Sequence, residues 1–218
     1  MIRLLLFVAA ALAVGALLML DAVSAAPPLP FYDSADLSPR WTRSVDHRIA
    51  DFNLISQSGT PITRADLLGR VHVASFIYTH CAGVCPSMIT QLKKVQASIA
   101  GRKDAVLVSY SVAPQQDTPE ALAQFAAQRS IDSDAWKLVT GDAEQIYALA
   151  RTSYFADDGR IDPAMPAADQ FLHTEKVLLV DREGRLRGVY NATLPHEIEK
   201  LTVDLATLLG GAPATGRP

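Results

Sequence analysis

Cysteine is scarce: Cys81 and Cys85 are the only two in 218 residues. That scarcity excludes the cysteine-dense scaffolds in which several disulfides replace a hydrophobic core. The one available pair would also be a poor staple. Closing a loop of about five residues contributes roughly 2 kcal/mol, against about 4.7 kcal/mol for a 100-residue loop. A surplus of positive charge is missing too. Twenty Lys and Arg stand against 23 Asp and Glu, for a net charge of -3, which leaves no electrostatic footprint for nucleic acid. No internal repeat is present, so stacked-repeat architectures are excluded.

What is present begins with a targeting signature. Arg3 gives a positive start, and residues 4–20 (LLLFVAAALAVGALLML) carry no charge. A bilayer-spanning helix needs about 20 apolar residues, with about 17 as the lower limit. Val23-Ser24-Ala25 is a small-residue cleavage site. Residues 1–25 therefore read as a signal peptide or a membrane anchor, and either implies export. Residues 26–45 hold four prolines and little periodicity, which suits a linker lying against a domain. Residues 46–210 suffice for one core, with 211–218 as a flexible tail.

The domain alternates strand and helix signals. Residues 51–56 suit a short strand, followed by a turn at 57–60 and a helical turn at 63–68. Residues 71–78 (VHVASFIY) and 105–112 (AVLVSYSV) are apolar, β-branched runs that read as buried strands. Between them Pro86 opens a helix whose apolar face is Ile89, Leu92, Val95 and Ile99. Asp117-Thr118-Pro119-Glu120 starts a further helix, with Asp117 read as its capping residue and assistance to the cysteine site as the alternative, and Thr140-Gly141-Asp142 starts another through Arg151. Residues 176–180 and 186–190 read as a hairpin, and a last helix runs from Pro195 to a stop at Gly210. This order matches an α/β fold of the thioredoxin-like type, a central mixed sheet flanked by helices, although element order alone leaves other α/β sheets open.

Cys81-Ala82-Gly83-Val84-Cys85-Pro86 places both thiols between a strand's carboxyl end and a helix's amino end. Helix N-terminal amides favour anions, so a cysteine there is biased toward thiolate, the form that attacks disulfides and binds metal. The spacing is one residue wider than Cys-x-x-Cys, and Gly83 is expected to let the longer loop bend until both sulfurs face one centre. Two thiolates with a third donor select Cu(I), Cu(II) or Zn(II) over hard cations. His173 is a candidate third donor because it precedes the strand at 176–180; as a lone histidine it also suits an exposed loop.

Residues 74–88 (ASFIYTHCAGVCPSM) resemble the copper-binding segment of the Sco/SenC family, where an apolar strand runs into Thr-x-Cys-x-x-x-Cys-Pro. Ser111-Val112-Ala113-Pro114 through Asp117-Thr118-Pro119-Glu120 resembles its Ser-x-Asp-Pro and Asp-Thr-Pro-Glu stretch, and Phe171-Leu172-His173-Thr174 its histidine segment. The resemblance, extending over about 29–209, implies copper ligation by Cys81, Cys85 and His173. Ala82, Ala113 and Leu172 depart from the family pattern by replacing a proline and two acids, so nearby carboxylates that would tune Cu(II) are absent. The family's role implies an exported metallochaperone, on the periplasmic side of a bacterial inner membrane or the intermembrane-space side of the mitochondrial one. The implied partners are subunit two of cytochrome c oxidase, or another copper acceptor, and a copper donor.

Two other readings of the same residues stand beside that one. Cys81 and Cys85 would be the redox-active pair of a thiol-disulfide reductase, or the chain would be a copper or redox sensor. A peroxidase has less support, since no arginine stands close to either cysteine in sequence. His80, which abuts Cys81, is a secondary ligand candidate, whereas His47, His72 and His196 read as structural or surface residues.

Overall fold

The computed structural model describes residues 29–42, 45–81, 83–157 and 174–210. The expected export segment, Ala82, Leu172, His173 and the tail at 211–218 lie outside the described residues. Among those described, no helix is long and apolar enough to cross a membrane.

Seven strands form one mixed sheet: β1 (Asn53–Ser56), β2 (Pro61–Thr63), β3 (Val71–Ile77), β4 (Ala105–Ser111), β5 (Trp136–Thr140), β6 (Lys176–Val180) and β7 (Leu186–Asn191). Their spatial order is β2-β1-β5-β4-β3-β6-β7. The central β3, β4 and β5 run parallel, while β1, β6 and β7 pair antiparallel on either side. The helices are α1 (Arg64–Leu67), α2 (Cys85–Ser98), α3 (Pro119–Gln128), α4 (Ala143–Ala148), which runs into a π-helical turn at Leu149–Ser153, and α5 (Pro195–Leu208).

Side chains alternate across a strand, so β3 divides its residues between two cores. Val71, Val73 and Ile77 pack with α2, α3 and α5 on one face, and Ala74 and Phe76 pack with Ile146, Leu149 and Tyr154 on the other. Burial on both faces explains why β3 and β4 are almost wholly apolar in sequence. On α2, Met88, Ile89, Leu92 and Val95 are all buried, each contributing about 1.5–3 kcal/mol by leaving water. That packing holds the amino end of α2 against the carboxyl end of β3.

Two strands were not anticipated from the sequence. Trp136–Thr140 is a strand between β4 and β1, and Pro61–Thr63 is an edge strand beside β1. Thr140 ends β5 instead of opening a helix, and Asp142 caps α4 by accepting from the Gln145 amide. Residues 29–42 bind firmly to the domain. Phe31 and Arg40 exchange backbone hydrogen bonds, and the Tyr32 amide donates to the Leu186 carbonyl. The Arg187 guanidinium lies 3.9 Å from the Phe31 ring centre and donates to the carbonyls of Leu29 and Pro30. Asp181 holds both Arg185 and Arg187 in place.

His72 is buried within β3. Its Nε2 meets the Tyr154 hydroxyl at 3.2 Å, and its Nδ1 has no hydrogen-bond partner among the described residues. Burial is the main cause that pushes its pKa down to about 3; Asp181 opposes that shift and Arg70 adds to it. The unfolded chain, with an ordinary histidine pKa near 6.5, therefore binds more protons than the native state between pH 3 and 6.5. Stability should rise with pH through that window and level off above it. At pH 5 the folded state is expected to be about 2 kcal/mol less stable than at pH 7 on account of this one group. Urea unfolding of wild type and His72→Gln at both pH values checks this: the variant should lose most of the difference, and an equal difference in both would refute it.

Candidate metal centre

The loop from Tyr78 to Val84 joins β3 to α2 and carries both cysteines to the carboxyl edge of the parallel strands, where open α/β sheets place ligands. Cys85 is the first residue of α2 and Pro86 the second, a position where a missing amide hydrogen costs nothing. The Cys81 amide donates to the Tyr78 carbonyl at 3.2 Å, curling the loop back toward the strand. Both cysteines are free thiols, with Cys85 buried and Cys81 half-buried.

The two sulfurs differ in environment. Burial resists ionisation of Cys81, but it is outweighed by hydrogen bonds from the Cys85 amide and thiol and from the amides of Gly83 and Val84, so its pKa is lowered. The amides of Gly83, Val84 and Cys85 at the start of α2 thus favour the Cys81 thiolate, as helix N-terminal amides favour anions. Cys85 is pushed up to about 11, chiefly by burial; donation of its proton toward Cys81 and the charges of Cys81 and Asp117 reinforce this against one hydrogen bond from the Tyr78 amide. The helix amides thus serve the cysteine four residues before the helix, and not the one at its first position. Neither feature was readable from spacing.

The chain does bend at Gly83 and Val84, after the turn at Tyr78–Cys81. The Gly83 φ lies outside the left-handed region, and a side-chain carbon there would meet the Cys81 sulfur at 3.8 Å, an ordinary contact, so the bend does not require glycine at this position.

Asp117 also differs from expectation. Thr118 is the cap of α3, accepting from the Ala121 amide, which leaves the Asp117 carboxylate for another task. It is fully buried and accepts from the Ser111 hydroxyl at 2.6 Å, the Thr79 hydroxyl and the Thr79 amide at 3.3 Å. It therefore ties the arm of the loop that carries Cys81 to the end of β4. A Thr-Pro pair marks Thr118 as the cap with Pro119 at the first helical position, and that signal could have freed Asp117 for the site.

His80 is mostly exposed, with its Nδ1 2.9 Å from the Thr79 hydroxyl. Because that hydroxyl gives its proton to Asp117, it accepts from His80 Nδ1–H. His47 is placed structurally: its Nε2 meets the Ser153 carbonyl at 2.8 Å and its ring stacks on Phe155. His196 lies exposed beside Glu197. Among the described residues, no group of three or more His, Cys, Asp and Glu is arranged to hold a metal. Two soft donors on one loop, one of them with a lowered pKa, nevertheless suit a soft cation that lacks one further ligand.

A sequence model of the SCO1/SenC family matches residues 42–210. The SCO1 protein homolog of Bacillus subtilis is 29% identical over 149 residues, covering 67% of this chain and 75% of its own. The solved structure of BsSco, a disulfide-switch member of the Sco family of cytochrome c oxidase assembly proteins, has a TM-score of 0.64 at 27% identity, covering 74% of this chain and 93% of its own. Copper-bound ScoI of Bradyrhizobium japonicum superposes with a TM-score of 0.59 at 25% identity, covering 73% of this chain and 98% of its own. These neighbours share the thioredoxin-like arrangement of sheet and helices described above.

Proposed function

Because the chain belongs to the SCO1/SenC family, we propose that it is an exported copper carrier that holds one ion on Cys81, Cys85 and His173. Its task is to serve assembly of the dinuclear copper centre in subunit two of cytochrome c oxidase. The observation that carries this reading is the placement of two free cysteines, one half-buried on the loop after β3 and one buried at the first position of α2, at the carboxyl edge of the parallel strands. A copper-bound relative of the same fold supports the choice of metal.

Copper is cargo in this reading. Cu(I) is satisfied by two thiolates, while Cu(II) makes a stronger demand on an imidazole. Loading displaces the proton that Cys85 holds, so binding releases acid. A half-exposed Cys81 gives an acceptor's thiolate a point of entry, and the ion passes by ligand exchange without any net redox change.

Copper titration of the full chain with reduced cysteines tests the assignment. One ion per chain is expected, and the Cu(II) adduct should show a thiolate-to-copper charge-transfer band. In His173→Ala the band should vanish, with Cu(I) affinity falling far less. Lack of stoichiometric copper, or equal uptake by His173→Ala in both oxidation states, would sink the assignment.

The inequality of the two thiols also supports a reductase reading. The Cys81 thiolate would attack a partner's disulfide and release one partner thiolate. Cys85 would then give up its proton and attack the mixed disulfide, releasing the second partner thiol and leaving Cys81–Cys85 oxidised. Full reductase turnover by a His173→Ala chain that holds no copper would favour this second reading.

A further inference from the structure

Asp117 is a buried acid without a matched cation. All three of its hydrogen-bond donors are neutral: the Ser111 hydroxyl, the Thr79 hydroxyl and the Thr79 amide. Among the described residues, the only group within 4 Å that can carry positive charge is the exposed His80 ring, 3.9 Å from Oδ1. Withdrawing a carboxylate from water is costly unless charge or hydrogen bonds compensate, and neutral donors compensate only in part. The carboxylate also stands close to the cysteine loop, since it accepts from both the amide and the hydroxyl of Thr79, two residues before Cys81. Position 113, where the family resemblance leads one to expect an aspartate, is a buried alanine, so Asp117 is the acid that remains under the loop.

We propose that Asp117 is a positioning residue that supplies the buried counter-charge of the metal site, holding the Thr79–Cys81 arm and favouring Cu(II) over Cu(I). The inference rests on the copper reading above. A fixed negative charge stabilises a nearby ion in proportion to that ion's charge, so its removal penalises the divalent state more. Hydrogen bonding alone would act on both states alike, and this difference separates a charge role from a purely structural one.

The test compares full-length wild type, Asp117→Asn and Ser111→Ala by Cu(I) and Cu(II) titration and by the midpoint potential of bound copper. Asparagine keeps the shape and one acceptor oxygen while removing the charge. Asp117→Asn should lower Cu(II) affinity about tenfold more than Cu(I) affinity, raising the potential by about 59 mV. Ser111→Ala removes one hydrogen bond and keeps the charge, so its ratio of affinities should stay within about twofold of wild type. An unchanged ratio in Asp117→Asn, or an equal shift in Ser111→Ala, overturns the inference. If Asp117→Asn does not fold, Asp117→Ser, which also removes the charge, takes its place with the same expectation, and an unchanged ratio of affinities overturns the inference. Wild type that binds no copper removes the copper reading itself, whereas wild type that binds both ions with an unmoved ratio in the variants removes only the role of Asp117.

Discussion

Replacing Cys81 by serine is expected to lower Cu(I) affinity on the order of a thousandfold or more, because a soft cation loses one of two thiolates and gains a hard hydroxyl. Cys85→Ser should weaken binding to a similar degree, for the same reason. The two variants should nevertheless differ as thiols. In Cys85→Ser the remaining Cys81 still sits among the amides of Gly83, Val84 and residue 85, which hold its pKa below the usual thiol value. In Cys81→Ser the remaining Cys85 is still mostly buried, and burial is the first cause of its pKa of about 11. Alkylation by iodoacetamide at pH 7 should therefore be fast in Cys85→Ser and slow in Cys81→Ser, since the thiolate is the reacting form. Equal alkylation rates would show that the helix amides and burial do not distinguish the two sulfurs, and the division between an exposed entry ligand and a buried one would fall with it.

Trp136→Ala should destabilise the domain by about 3–5 kcal/mol, the usual cost of truncating a buried tryptophan. Trp136 is fully buried on β5, and its indole N–H donates to the Ser109 hydroxyl at 2.8 Å. Ser109 in turn meets Ser75 at 2.7 Å, so one polar chain crosses three adjacent strands inside an apolar core. Truncation would leave a cavity beside β4 and deprive that chain of its donor. Trp136→Phe keeps much of the volume while losing the N–H and one ring, and it should cost about 1–3 kcal/mol. Urea unfolding of both variants separates packing from hydrogen bonding. Equal losses would place the whole effect in the hydrogen bond; a loss under 1 kcal/mol for alanine would mean that the core closes around the gap.

The same strand marks a limit of reading by pattern. Trp136-Lys137-Leu138-Val139-Thr140 is only five residues long, and although Ser130, Asp132, Ser133 and Asp134 mark a turn before it, its apolar residues fit a short helix as well as a strand. Partners 29 residues upstream on β4 and some 80 residues upstream on β1 make it a strand. By contrast β3, β4, β6, β7, α2 and α5 could be read locally, because each carries a continuous apolar run or a helical stripe with a proline or glycine at its boundary.

The sequence alone determined the thioredoxin-like class, the family and the soft-donor pair Cys81 and Cys85, because periodicity and a short motif depend only on neighbours along the chain. Which sulfur takes the helix amides, and what Asp117 does, depend on atoms brought together by folding. The amides at the start of α2 lower the pKa of Cys81. Asp117 reaches Thr79 across 38 residues of chain, at the edge where β3 and β4 end side by side. Spacing predicts that thiols can meet; only the packed sheet decides which of them ionises more readily, which is sheltered and which acid stands behind the loop.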